Sequence, residues 1–401
     1  MREINGIVTG FCAPEFERVA GQFTKHFETG QEVGAGLCVY YQGDMVVDLW
    51  GGIADPDTNK PWSADTLSVV FSVTKGLTAT ALNLAAERGH FDWDAPVADY
   101  WPAFGQSGKQ SITVRQLFNH QAGLAALSIP LTLAQYCDPT QRLYIRSVLE
   151  QQAPAEPRLQ AYHALSFGMY ADHFFEIACG ESIGTFLHRE WLDPLQADVY
   201  LGTPAGQDHR IAKLLPVGNA SRLGHMLWAA LRGGSTEANV ARSILRGGIA
   251  KQALTNPSSP NAMADYNAVP ARRCCLPWAS ATATARGLAR AYLPWSVGGD
   301  WQDRTWINPA TLQQIKERQS WSEQDSVLGK ALGWSQGFVK EEVGVFSPNP
   351  ESFGHPGIGG PLGWCDPKAQ LAIGYTLNRS DWRVRSPRAL ALCASIYQCV
   401  P

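Results

Sequence analysis

The sequence predicts an α/β fold in which one sheet-bearing lobe is assembled from both ends of the chain and a mainly helical lobe is inserted between them. Three observations carry this expectation. Strand-like runs occur early, in GAGLCVYYQGDMVVDLWGG (34–52), and return late, in FGHPGIGGPLGWCDP and AQLAIGYTLN. Helical spacing dominates from about residue 95 to about 320. The chain has 401 residues, more than one small core organises, and 45% of them are hydrophobic. The expected division is therefore 1–95 with 321–401 as the α/β lobe, 96–320 as the helical lobe, and an active site between them.

Taken in order, the opening MREINGIVTGFCAPEF lacks the charged-then-apolar pattern of a secretory signal. Residues 34–52 read as two β-rich runs joined at Gln42-Gly43-Asp44, a hairpin signal. A helix follows from FSVTKGLTATALNLAAERGH and stops near Gly89, a residue suited to a helix C-terminus. Pro130, Pro139, Pro154 and Pro157 mark loops before Tyr162. SIGTFLHREWLDPL and ATATARGLARAYL repeat apolar residues at three- and four-residue spacing, as helices do. The stretch 255–278 reads as loop, and PRALALCASIYQ closes the chain as a helix.

Composition excludes several classes. Lys and Arg number 33 against 36 Asp and Glu, a net charge of −3, which gives no electrostatic pull toward nucleic acid or an anionic membrane. No run approaches the roughly 20 apolar residues of a membrane span. The nine cysteines include no C-x-x-C pair, and their number is odd. They read as reduced thiols of a cytoplasmic protein. No His/Cys/Asp cluster has metal spacing, and no H-E-x-x-H helix or P-loop is present, so neither metal nor organic cofactor is expected.

Ser72-Val73-Thr74-Lys75 is the most informative stretch. Residues i and i+3 share a helix face, so the Lys75 amine can reach the Ser72 oxygen. The helix N-terminus also favours a developing alkoxide. A hydroxyl beside an amine on a rigid element is the minimum apparatus of covalent acyl transfer. Alone, the spacing is weak, since a solvated lysine on an exposed helix face produces it equally well. The preceding β-like run LSVVF strengthens it.

VVFSVTKGLTATAL, GHFDWDAPVADYWP, ITVRQLFNHQAGL, AYHALSFGMY and FGHPGIGGPLGWCDP follow one another as five ordered matches over most of the chain. Together they resemble the serine β-lactamase and penicillin-recognising superfamily, and more closely its esterase branch, the family VIII carboxylesterases and class C β-lactamase-like proteins. The resemblance implies a β-lactamase-like (DD-peptidase) fold: an antiparallel sheet flanked by helices, with the helical lobe inserted. It implies Ser72 as the acylated nucleophile, Lys75 and Tyr162 as the residues that manage protons, and the backbone N–H groups of Ser72 and Ile358 as the oxyanion hole. A phenol with a pKa of about 10 needs a cationic neighbour to act as a base near neutrality, a charge Lys75 would supply. Gly357, Gly359 and Gly360 would let backbone approach substrate closely. His120 reads as a structural histidine bonding backbone at a turn. His163 and Trp364 are candidates for the pocket wall, each with a core role as the alternative.

Two departures from the family pattern bear on substrate. Ala164 stands where penicillin-recognising enzymes carry an asparagine, and His355-Pro356-Gly357 stands where they carry Lys-Thr-Gly. Alanine cannot bond a substrate amide, and a histidine with a pKa near 6.5 is mostly neutral at pH 7. Both changes favour a small neutral ester over an anionic acyl-amide. Pro361 replaces a small polar residue and removes a hydroxyl contact. The expected activity is carboxylic ester hydrolysis through an acyl-enzyme. The alternatives are a β-lactamase or D-amino-acid peptidase, an acyltransferase, and a non-catalytic scaffold. The expected partner is a small-molecule ester, with no nucleic acid and no membrane; the oligomeric state is not legible.

Overall fold

Strands from the two chain ends meet in one antiparallel sheet. The computed structural model describes residues 2–3, 6–218, 224–225, 228, 231, 235–245, 248–342 and 344–400. Among them, β1 (Val8–Cys12), β2 (Gly34–Tyr41) and β3 (Asp44–Asp55) come from the N-terminal side. From the C-terminal side come β4 (Ser320–Ser322), β5 (Leu332–Ser335), β6 (Phe338–Lys340), β7 (Phe353–Pro356), β8 (Leu362–Asp366) and β9 (Leu371–Leu377). Their order across the sheet is β1-β3-β2-β9-β8-β7-β6-β5-β4. The seam between the two ends is β2 against β9, with Cys38 opposite Gly374 and Leu37 opposite Tyr375. The β2–β3 turn falls at Gln42 and Gly43, both at positive φ (53° and 90°), the conformation a two-residue hairpin needs.

Each face of the sheet buries a different set of helices. On one face α1 (Glu17–Glu28) packs with the C-terminal helix, and Val19, Phe23, Leu37, Val39, Ile373 and Leu392 share a core. On the other lie α2 (Val73–Glu87) and α4 (Ala285–Ser296). Between them in the chain, α3 (Ser166–Cys179) packs on α2, and the C-terminal helix is α5 (Pro387–Tyr397). Helix α4 falls within the 96–320 span, yet it lies against β9, β2 and β8. The reason is glycine: a Cβ on Gly374 would stand 2.2 Å from the Ala285 carbonyl oxygen, so only a bare backbone lets α4 settle on the sheet. Among the described residues, the rest of 96–320 is mostly short helices and loops, and a small three-stranded sheet joins Ser68–Val69, Thr282–Ala283 and Val199–Tyr200. No helix among the described residues is long and apolar enough to cross a membrane.

Helix α2 carries Ser72 at its N-cap and is buried along nearly its whole length. Its apolar residues and small alanines suit a helix covered on all sides. Gly89, at φ +77°, follows its end. Three bonds fasten its start to the 277–281 segment: Val70 N–H to Ala281 O (2.9 Å), Ala281 N–H to Thr74 Oγ1 (3.1 Å) and Thr78 Oγ1–H to Pro277 O (2.8 Å).

Candidate active site

Phe71 enters α2 at φ +47°. A bulky residue in the left-handed region costs on the order of 1–3 kcal/mol and persists where its surroundings over-determine it. Here Phe71 is buried and edge-packed on Tyr266 at 5.3 Å. The turn it makes leaves Ser72 half-buried at the head of the helix.

One turn on, the Lys75 amine lies 3.0 Å from Ser72 Oγ and donates to the carbonyl of Trp278 at 3.0 Å. Lys75 is fully buried, and burial alone drives its pKa well below the ordinary lysine value; no carboxylate faces it. The lowered pKa makes the neutral amine accessible, and its lone pair can then take the serine proton. Tyr162 O–H donates to Ser72 Oγ from 3.4 Å, a long bond. Its ring lies flat on Trp334 (5.6 Å, 13°), with Lys75 Nζ 5.4 Å from its centroid. Burial pushes the phenol up to about 12, opposed by the Ser72 hydrogen bond. The same burial disfavours the charged amine that a Tyr162 phenolate would need, and a phenol raised to about 12 holds its proton near neutrality.

The N–H groups of Ser72 and Ile358 are not donated to any acceptor among the described residues. Ile358 lies within the turn that Gly357 N–H closes onto Pro361 O at 2.7 Å. The glycines of this loop meet protein rather than an open cleft. A Cβ on Gly357 would lie 2.5 Å from Val70 O, on Gly359 2.8 Å from Ser380 Oγ, and on Gly360 3.0 Å from Leu377. Gly357 thus lets the end of β7 close on Val70, just before Ser72, while Gly359 and Gly360 pack on the 377–386 segment.

His355 is buried on β7, against Gly76 of α2, with its ring 6.2 Å from that of Tyr162. Burial holds its pKa well below 6.5; positive charge on Lys75, whenever that amine is protonated, and on Arg385 acts in the same sense. Nδ1–H donates to Pro356 O at 2.8 Å, and Nε2 has no partner among the described residues.

Two expected pocket residues are elsewhere. His163 is completely buried, with Nδ1–H donated to Ala161 O (2.8 Å) and Nε2 accepting Leu124 N–H (3.2 Å), so neither nitrogen is available to substrate. Trp364 is also completely buried, on the opposite sheet face, packed on Phe346 at 5.0 Å. Strand alternation explains it: Gly363 faces Val73 and Tyr292 on the α2 side, so its neighbour faces away. Two residues at the site escaped sequence reasoning. Trp278 contributes a backbone carbonyl, which has no side-chain signature. Trp334 precedes the Gln336-Gly337 hairpin turn, at φ 45° and 87°, and that glycine turn between apolar runs was a readable signal.

With this geometry in place, the comparisons agree on one class. The Beta-lactamase family profile matches residues 19–395, and the chain belongs to that family. It is 33% identical over 382 residues to the Esterase/beta-lactamase LipL of Mycobacterium tuberculosis (strain ATCC 25618 / H37Rv), covering 93% of this chain and 83% of that one. A solved family VIII carboxylesterase superposes with a TM-score of 0.85 at 33% identity, covering 98% of this chain and 100% of that one. A penicillin-binding protein homologue from Caulobacter crescentus superposes with a TM-score of 0.83 at 29% identity, covering 98% and 100%.

Proposed function

We propose that the protein is a serine carboxylesterase that cleaves small neutral esters through an acyl-enzyme on Ser72. The observation that carries this reading is a fully buried Lys75 amine, without a carboxylate partner, 3.0 Å from Ser72 Oγ. Lys75 takes the serine proton as Oγ attacks the ester carbonyl. The N–H groups of Ser72 and Ile358 receive the oxyanion. Tyr162, still protonated, gives its proton to the departing alkoxide, and the phenol is restored from Lys75. Water then enters, and the same groups run in reverse to release the acid. The scheme draws on protein groups alone, and the count and spacing of the cysteines support a cytoplasmic setting.

Ala164 and the neutral His355 support an ester over an anionic acyl-amide. The similarity to a relative named for both activities supports β-lactam hydrolysis as a second, weaker reading. A direct comparison of short-chain nitrophenyl esters with a chromogenic cephalosporin separates the two. The ester is expected to react faster by a hundredfold or more in kcat/KM, on the order of a lost charged contact. Equal rates would overturn the substrate assignment.

A further inference from the structure

We propose that His120 is a positioning residue for Tyr162, its bare Nδ1 fixing the peptide that follows the tyrosine and so the phenol that faces Ser72. The inference rests on Tyr162 acting in the chemistry proposed above. His120 is fully buried and sits at φ +61°. Its Nδ1 accepts the His163 N–H at 2.9 Å, and its carbonyl accepts the Ala161 N–H at 3.1 Å. One residue thus holds the backbone on both sides of Tyr162.

The acceptor at Nδ1 requires the ring proton on Nε2, where it finds no partner among the described residues. A buried donor left unpaired is costly, so this tautomer is selected by the bond to residue 163. The ring itself is clamped, lying on Phe167 (5.3 Å, 22°) and against Trp334 (3.7 Å) and Tyr162 (5.5 Å). His163 returns the connection: its two ring nitrogens bond Ala161 O and Leu124 N–H, tying the segment after His120 to the one before Tyr162. None of these groups touches Ser72. They act through the Tyr162 ring, whose hydroxyl already stands 3.4 Å from Ser72 Oγ. A shift of about 1 Å would break that bond, and displacements of that size cost rate steeply.

The test compares two amides in the full-length enzyme. Asparagine carries Oδ1 where histidine carries Nδ1, so His120→Asn keeps the acceptor. His120→Gln places its amide further out and loses it. Backbone conformation does not separate them, since Gln42, Gln196, Gln302, Gln336 and Gln370 all occupy positive φ in this chain, and asparagine tolerates it well. Rates on a nitrophenyl ester are normalised to active sites titrated with a fluorophosphonate, so partial unfolding does not imitate a slow enzyme. The expected result is His120→Asn within about threefold of the parent, and His120→Gln lower in kcat by about tenfold or more with KM little changed. Equal losses in both variants, no loss in either, or a loss confined to KM would overturn the proposal. Tyr162→Phe distinguishes the two layers. If it keeps the parent kcat, the role of Tyr162 fails and this inference with it. If it is inactive while His120→Gln is not impaired, only this inference fails.

Discussion

At the scale of single residues, the proposed chemistry depends on withholding water from Lys75. A lysine on an exposed helix face stays charged and is no base; the same side chain buried against the Trp278 carbonyl gives up its proton more readily. Activity should therefore rise with pH through an ionisation well below the ordinary lysine range, because the base must be unprotonated. With Tyr162 pushed up to about 12, no loss of the phenol proton is expected through pH 9. A pH–rate profile of kcat/KM checks both limbs. Lys75→Arg, permanently charged, should lose about a hundred- to ten-thousandfold in rate; a profile unchanged by that substitution would count against Lys75. The Ser72–Lys75 pairing was legible because it depends only on helix geometry. The place of Tyr162 came from the family resemblance. Where adjacency in sequence was the guide it misled, since His163 and Trp364 are each turned away from the neighbour that faces the site.

At the scale of elements, α2 is held at a fixed height over the sheet by what its glycine leaves room for. Gly76, next to Lys75, faces Tyr292 of α4; a Cβ there would lie 2.0 Å from the phenol oxygen and 3.2 Å from Cζ. Tyr292 is fully buried, and its hydroxyl has no partner among the described residues. Gly76→Ala should destabilise the protein by about 1–3 kcal/mol through overpacking. Tyr292→Phe alone should be neutral or stabilising, since it removes an unpaired buried hydroxyl. The double variant should recover most of the loss. Urea midpoints of the three variants check this, and additive effects would show that the two residues do not share one space. The longer elements were readable from pattern: the 34–52 hairpin, α2, α4 and the closing helix all fall where periodicity and turn residues put them. Strands β4 to β6 were not, because runs of three or four residues hold too little alternation to register.

At the scale of the whole molecule, stability and acidity are linked through buried imidazoles. His26 and His163 are held down to about 4 and His173 to about 3 by burial, and His120 and His355 lie well below 6.5 for the same cause. An unfolded chain binds protons at these sites below about pH 6.5, while the folded one does not. Their contribution to stability is complete above that value and declines as pH falls toward the folded values. Each such proton changes stability by about 1.4 kcal/mol per pH unit. Glu32, pushed up to about 7 by burial, acts in the opposite sense with a single proton. The balance is a fall in stability on acidification from pH 7 to pH 5. Thermal melts across that interval should shift steadily downward, and a constant melting temperature would refute the linkage. The joining of the two chain ends at β2 and β9 was legible as strands at both termini. That α4 serves the sheet was not, because its placement is set by glycines on strands some 80 residues later.

Reaction with a fluorophosphonate followed by peptide mapping by mass spectrometry reaches the centre of the account, since it asks which atom becomes covalently bound. The expected result is one phosphonyl group on the peptide containing Ser72, absent from Ser72→Ala and formed far more slowly in Lys75→Met. A label at another residue, or undiminished ester hydrolysis in Ser72→Ala, would contradict it.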